Sequence, residues 1–125
     1  MPALNFYEEF ADKVFAGIKN QTIRKTRKHP IKRGDTLYLY TGQRTKQCRL
    51  LKTVVCVRTF EVKFTKQWYY WRECGWLKRW RKFEIYELEY LAQKDGFGTD
   101  LDMIHWFQKH HGLPFEGQVI RWGDE

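Results

Sequence analysis

Apolar residues recur at helical spacing near the start of the chain. Phe6, Phe10 and Val14 follow one another at intervals of four residues, which places them on one face of a helix. This pattern predicts an amphipathic helix over residues 7–16. Gly17 follows directly, where a left-handed helix cap is expected.

A second helix is predicted near the C-terminus, over residues 100–111. Thr99 is suited to its N-cap, with an acid three positions later, and Gly112 follows its end. Its apolar stripe is predicted to contain Leu101, Ile104 and Phe107.

A further short helix is indicated before Gly96 by Leu88, Leu91 and Ala92. The preceding residues, 84–90, are compatible with a strand or with the start of this helix.

The remaining apolar positions alternate with polar ones, as in strands. Strands are predicted over residues 20–25, Thr36–Thr41 and Phe115–Trp122, and the run Cys48–Phe64 is expected to form two strands or one bent strand. Strands separated by short helices, without a βαβ repeat, favour an α+β barrel-like domain.

Length and charge narrow the class of protein. At 125 residues the chain is expected to form one domain with its own core. Its formal net charge of +8 favours a polyanionic or nucleotide-like partner. The aromatic fraction of 18% adds rings that could stack on bases, although many of them must fill the core.

Cysteine usage and hydropathy give further expectations. Three cysteines without a C-x-x-C pair argue against a disulfide scaffold and a zinc site, so no metal is predicted. No nucleotide-binding glycine motif is present, and no cofactor is predicted. The start of the chain does not resemble a signal peptide, and no apolar run is long enough to span a bilayer, so a cytoplasmic protein is expected.

Large rings and cations alternate over residues 66–83. This segment could form a lid or a platform for nucleic acid. It could instead form a hairpin whose rings pack on the core while lysine and arginine face water, and we favour this second interpretation.

The strongest chemical signal lies at Lys19, Thr22 and Arg24. An amine close to a hydroxyl is a minimal arrangement for an activated nucleophile, and a guanidinium suits a nucleobase-like or anionic substrate. Lys19 and Thr22 can point to one side only if the strand begins near Asn20. The spacing alone is equally compatible with an exposed lysine at a turn.

Two blocks of the sequence resemble the ASCH domain, a PUA-like β-barrel family. The first block contains Phe10, Val14, Gly17, Lys19, Thr22, Ile23, Arg24, Gly34, Asp35 and Leu37, and the second is the run Leu91–Phe97 followed by a helix with Trp106 and Phe107. The chain is most similar to small bacterial ASCH proteins that hydrolyse N4-acetylcytidine, except that the segment 66–83 looks like an insertion.

The resemblance implies a catalytic group of Lys19, Thr22 and Asp95. The family has glutamate where this chain has Asp95, one methylene shorter, so Glu84, Glu87 or Glu89 is the alternative acid. Thr22 would be the nucleophile, and Lys19 either its base or a donor to the oxyanion. Arg24, Phe6 and Gln21 are predicted to bind the substrate.

Three functions follow from these observations. The leading one is a metal-independent amidohydrolase that converts N4-acetylcytidine and water to cytidine and acetate. The second is a PUA-like module that binds RNA or a modified base without hydrolysis, and the third is a ribonuclease. The expected partner is a small nucleoside, with RNA as the alternative, and a monomer is expected rather than an oligomer.

Overall fold

The computed structural model of the chain describes residues 2–74 and 78–123. The elements of these described ranges are, in chain order, β1 (Ala3–Phe6), α1 (Glu8–Ala16), β2 (Gln21–Arg24), β3 (Thr36–Thr41), β4 (Arg49–Phe64), β5 (Tyr69–Glu73), β6 (Arg81–Lys82), α2 (Ile85–Lys94), α3 (Asp100–His110) and β7 (Phe115–Trp122). The protein is therefore a small α+β domain, as the sequence pattern predicts.

One long strand, β4, organises the mixed sheet. Its first half pairs with β3, and its second half pairs with both β5 and β7. A register irregularity between Cys56 and Arg58 marks the passage from one half to the other. The run predicted as two strands or one bent strand is thus a single strand with a bulge.

The two short strands near the N-terminus extend this sheet. β1 pairs in parallel with β3, while β2 pairs antiparallel with β7. Because β2 lies on the far side of β7, its side chains can meet residues from the helices that cover the sheet.

The predicted barrel is not found among the described strands, whose sheet remains open. The carbonyl oxygens of Ala3 and Asn5 in β1 accept hydrogen bonds from the guanidinium groups of Arg27 and Arg24, the first at 2.8 Å. Guanidinium groups thus cover backbone acceptors that an additional paired strand would otherwise use.

The core has two connected parts. One lies between α1 and the strands β1 and β3, and contains Leu4, Val14, Leu37 and Leu39. The other lies between the second half of β4 and the helices α2 and α3, and contains Phe64, Leu91, Met103 and Phe107. Phe97 and Trp106 pack against both parts, at the junction where the site described below is found.

The helix predictions are largely confirmed. Gly17 caps α1 with a left-handed φ of 80°, and the side chain of Thr99 accepts a hydrogen bond from Asp102 N at the start of α3. One position in the stripe of α3 was predicted wrongly: Leu101 is exposed, and Met103 is buried in its place. Residues 85–94 form a helix, which resolves the ambiguity at that segment.

The aromatic and basic segment forms an antiparallel pair, β5 with β6. Cations lie over its rings: Arg72 of β5 is 4.2 Å and Lys63 of the neighbouring β4 is 4.7 Å from the centre of Trp80. The two strands of the predicted hairpin are therefore present, one before and one after residues 75–77. These three residues, which include Trp76, lie outside the described part of the chain.

Among the described residues, the helices are all too short or too polar to cross a membrane.

Candidate functional site

A cavity of about 410 Å³ lies where β2, α1 and the residues after α2 meet α3. Aromatic side chains form much of its wall: Phe6, Tyr7, Phe10, Phe97, Trp106 and Phe107. The polar and charged lining residues are Asn5, Lys19, Thr22, Arg24, Lys25, Asp95 and His111. The cavity thus combines flat apolar walls with a cluster of functional groups, as ligand sites do.

The local backbone brings Lys19 and Thr22 to the same cavity. After the turn at Gly17, the amides of Ile18 and Lys19 both donate to the carbonyl of Lys13 at the end of α1. β2 begins only at Gln21, so Lys19 precedes the regular alternation of the strand. The condition required for the two side chains to meet is therefore fulfilled.

Asp95 reaches the cavity from the end of α2. Its backbone amide donates to Leu91 O at 3.1 Å, and Gly96 then turns the chain with a φ of 89°. A Cβ atom at Gly96 would lie 3.2 Å from Lys19 Cβ, so glycine here also lets the two segments approach.

Lys19 and Asp95 form a buried ion pair. Lys19 Nζ lies 2.9 Å from Asp95 Oδ2, and the two side chains are only 3% and 5% exposed. The same amine donates to the backbone carbonyl of Asp95 at 2.8 Å. The ammonium group has three donors, so one remains for a ligand.

Burial lowers the pKa of Lys19 below its ordinary value. The carboxylate of Asp95 opposes this change in pKa, whereas the positive charges of Arg24 and Lys13 reinforce it. The amine is therefore easier to deprotonate than a lysine in water, which is the requirement for a lysine that accepts a proton.

Gln21 contacts the ion pair of Lys19 and Asp95 on the side away from the cavity. Its amide nitrogen donates to Asp95 Oδ1 at 3.2 Å and to Leu91 O at 3.0 Å, and its oxygen accepts from Arg121 Nε at 2.7 Å. Gln21 is fully buried and does not line the cavity. This placement fits a residue that orients the carboxylate better than the predicted direct contact with substrate.

Thr22 is paired with Arg24. Arg24 Nε donates to Thr22 Oγ1 at 3.1 Å, and its guanidinium carbon lies 4.8 Å from the centre of the Phe6 ring. Among the described residues, no hydrogen bond joins Thr22 to Lys19 or Asp95. The guanidinium would stabilise negative charge on the hydroxyl oxygen, and it leaves the hydroxyl proton free to be donated.

The pKa of Arg24 also differs from its ordinary value. Its burial, together with the nearby charge of Arg27, lowers its pKa to about 10. It therefore remains protonated near neutral pH and keeps its positive charge in the cavity.

Two rings hold the amine of Lys19 in place. Lys19 Nζ lies 5.0 Å from the centre of Phe10 and 5.8 Å from the centre of Phe6. Phe10 in turn contacts Phe97 and Trp106 edge to face, with ring centres 5.7 Å apart in both cases. The result is a lysine fixed by aromatic packing as well as by its carboxylate.

The alternative acids lie elsewhere. Glu84 and Glu87 form the capping box at the start of α2, and Glu89 is exposed on that helix. None of the three lines the cavity. Asp95 is thus the acid that the structure brings to Lys19.

Some lining residues were not assigned to the site from the sequence. Phe97 and Trp106 were placed only in the ASCH-like block, and Lys25 and His111 were given no role in the site. The positions of Trp106 and His111 beside the apolar stripe of α3 were the sequence signal that could have assigned these two residues to the site.

No group of at least three His, Cys, Asp or Glu side chains suited to a metal ion is found among the described residues. Comparison of the chain with protein-family models, with curated proteins and with solved structures finds no match.

Proposed function

We propose that the protein is an amidohydrolase that removes the acyl group from N4-acylated cytidine. The observation that supports this most strongly is that Lys19, Thr22 and Asp95 line one cavity with aromatic walls. Its volume of about 410 Å³ lies within the range of about 300–1,000 Å³ that is usual for small-ligand sites. The flat rings suit a pyrimidine, and the polar cluster suits the amide that it carries.

In the proposed reaction, Thr22 Oγ1 attacks the acyl carbon as its proton passes to the neutral amine of Lys19. The carbonyl oxygen becomes an oxyanion near the Arg24 guanidinium, which already donates to Thr22. The bond from carbon to N4 then breaks, and Lys19 returns the proton to N4. Cytidine leaves, and the acyl group remains as an ester of Thr22.

Water completes the cycle. It attacks the ester carbon, gives one proton to Lys19 and releases the carboxylic acid, while Thr22 recovers its proton. The leaving amine is conjugated to the pyrimidine ring, so it departs more easily than an alkylamine. For this reason a site of three side chains could suffice.

Lys19 has the features that this role requires. Its lowered pKa makes the neutral amine accessible, and the contacts with Asp95 fix its direction. Gln21 and Arg121 extend these contacts behind Asp95. We infer that Asp95 orients the amine and stabilises it each time it becomes protonated.

The ASCH-like motif also supports a PUA-like fold for this domain. The residues that carry the resemblance, from Gly17 to Arg24 and from Leu91 to Phe97, are the two segments that meet in the cavity. This meeting gives the sequence motif a physical meaning, because its two blocks supply the amine, the hydroxyl and the acid.

A second function is favoured by one observation. Thr22 Oγ1 accepts from Arg24, and no described hydrogen bond joins it to Lys19. A cavity with this arrangement could recognise a modified base without hydrolysing it. The binding-module alternative therefore requires a test that separates binding from turnover.

The test is incubation with N4-acetylcytidine, followed by ultraviolet spectroscopy and chromatography of cytidine and acetate. Thr22→Ala is expected to lower kcat by about three orders of magnitude or more, because the nucleophile is lost, and Thr22→Ser is expected to keep measurable turnover. Thr53→Ala, at an exposed threonine of β4, is the matched control. Binding of N4-acetylcytidine without any product would contradict the proposal and favour the binding module.

A further inference from the structure

The cavity carries more positive than negative charge. Among its described lining residues, Lys19, Arg24 and Lys25 are cationic and Asp95 is the carboxylate. Asp95 is engaged with Lys19, and neither Arg24 nor Lys25 forms a salt bridge with a described residue. The cavity is therefore electrostatically suited to a ligand that brings its own negative charge.

Lys25 contributes part of this surplus positive charge. Lys25 is exposed, directly follows β2 and begins a loop rich in lysine and arginine. His111, at the end of α3, lines the same cavity. Lys25 and His111 thus line one cavity, and after burial the charge of Lys25 is the next cause that lowers the pKa of His111.

No described carboxylate balances this pair within the cavity. Glu9 of α1 approaches the Trp106 ring nitrogen at 3.5 Å, but it does not line the cavity. A bound anion would instead accept a hydrogen bond from the imidazole and an ion pair from the lysine.

We propose that the substrate of this cavity is a cytidine that carries a phosphate on its ribose, and that Lys25 and His111 bind this phosphate. The proposal rests on the proposed function for the acylated base, which would lie at Lys19 and Thr22. It adds a class of substrate, a nucleotide in place of the neutral nucleoside, and two residues that select it. A free mononucleotide and a nucleotide within RNA share this chemistry.

The first experiment measures binding without any reaction. Isothermal titration calorimetry compares cytidine 5′-monophosphate with cytidine, at low and at high salt. The monophosphate is expected to bind about 10- to 100-fold more tightly, the range for a hydrogen bond to a charged group, and to lose this advantage as salt increases. Equal affinity for the two compounds would overturn the proposal.

Variants assign the phosphate site to its residues. Lys25→Ala is expected to remove most of the preference for the monophosphate, and Lys25→Glu to remove all of it, because the charge is reversed. Lys28→Ala is the matched control, since Lys28 is exposed in the same loop but does not line the cavity. His111→Gln, which keeps a side-chain N–H donor, is expected to retain part of the preference. A preference unchanged in Lys25→Glu would overturn the assignment.

Turnover then separates this proposal from the proposed function. N4-acetylcytidine, its 5′-monophosphate and a short RNA with one N4-acetylcytidine are compared by kcat/KM. Either phosphate-bearing compound is expected to exceed the nucleoside, and the better of the two identifies the source of the phosphate. Hydrolysis with equal kcat/KM for all three would leave the proposed function intact and overturn the phosphate site. If no compound is hydrolysed but the monophosphate still binds more tightly in calorimetry, the phosphate site stands and the proposed function is overturned.

Discussion

At the scale of single residues, the ion pair of Lys19 and Asp95 is the costliest feature of the site. Both side chains are almost fully buried, and removing two charges from water is unfavourable unless each compensates the other. Such a pair is better explained by a chemical role than by stability, because apolar residues of similar size would fill the same space at lower cost.

This argument predicts that the effects of replacing the two residues on the free energy of unfolding are strongly coupled. Lys19→Met should lower the free energy of unfolding by about 3–5 kcal/mol, because it leaves the carboxylate of Asp95 buried without an opposite charge. The double variant Lys19→Met/Asp95→Leu should be more stable than Lys19→Met alone. Urea unfolding of Lys19→Met, of Asp95→Leu, of the double variant and of the exposed control Lys28→Met measures the coupling. Simple addition of the two single effects would contradict it.

The lowered pKa of Lys19 predicts the pH dependence of turnover. As the proposed base, Lys19 must be neutral, so kcat/KM should increase with pH up to the lowered pKa and remain level above it. Lys19→Arg stays protonated and should lose turnover across the range. A kcat/KM that instead decreases as the pH rises through this pKa would show that Lys19 acts as a protonated donor.

Stability should follow the same titration. Between the lowered pKa of Lys19 and its ordinary value of 10.5, the unfolded chain holds a proton that the folded chain has released. The contribution of Lys19 to the free energy of unfolding therefore increases with pH in this window. Guanidinium unfolding at several pH values, compared with the double variant of Lys19 and Asp95, isolates this contribution.

At the scale of elements, the turn after α2 sets the distance between Asp95 and Lys19. Gly96→Ala should destabilise the protein by about 1–2 kcal/mol through left-handed strain, and it should also lower turnover, because its Cβ would press on Lys19. Gly112→Ala is the control: its φ is also positive, at 77°, but nothing lies within 4 Å of its Cβ. Equal turnover in the two variants, measured with N4-acetylcytidine, would contradict this role for Gly96.

The N-cap of α3 gives a second prediction at this scale. Thr99→Ala should cost about 0.5–2 kcal/mol of stability, because the amide of Asp102 loses its acceptor. The loss should increase hydrogen exchange mainly in the first turn of α3. Urea unfolding and native-state exchange measure both effects, with Thr53→Ala as an exposed control; a loss spread evenly over the helices would contradict it.

Elements were predictable from the sequence wherever a local signal sets them. Gly17 and Thr99 mark the ends of helices, and the alternation of Leu37 and Leu39 with Tyr38 and Tyr40 marks β3. Leu101 could not be placed in this way. Its spacing fits the apolar stripe of α3, but only the position of the neighbouring helices decides that Met103 is buried and Leu101 is exposed.

At the scale of the whole molecule, the open sheet was not predictable from the pattern of strands. A strand pattern does not show whether the last pair of edges joins, and here Arg24 and Arg27 bond to the backbone of β1. The same limit applies to the site. Lys19 and Thr22 are three positions apart, so the sequence could suggest that they share a site. The contact of Gln21 with Asp95 spans 74 positions and follows only from the fold.

The overall positive charge leads to the last prediction, which concerns the β5–β6 hairpin. A net charge of +8 should give weak, salt-dependent binding of RNA by any face of the protein. Trp71, however, packs edge to face on Phe60 at 6.2 Å and belongs to the margin of the core. Trp71→Ala should therefore cost about 2 kcal/mol of stability or more, with little change in RNA affinity.

Trp68→Ala is the control for this experiment. Its ring is 50% exposed, with Lys82 Nζ 3.1 Å from the ring centre, so its loss should affect stability less than the loss of Trp71. Fluorescence anisotropy with a short single-stranded RNA at several salt concentrations, together with urea unfolding, measures both quantities. If Trp71→Ala instead weakened RNA binding by the roughly 1–3 kcal/mol of a lost base stack while stability remained unchanged, the hairpin would be a nucleic-acid platform. The cations that now lie over its rings would then have to move aside for the bases, which the packed hairpin interpretation does not allow.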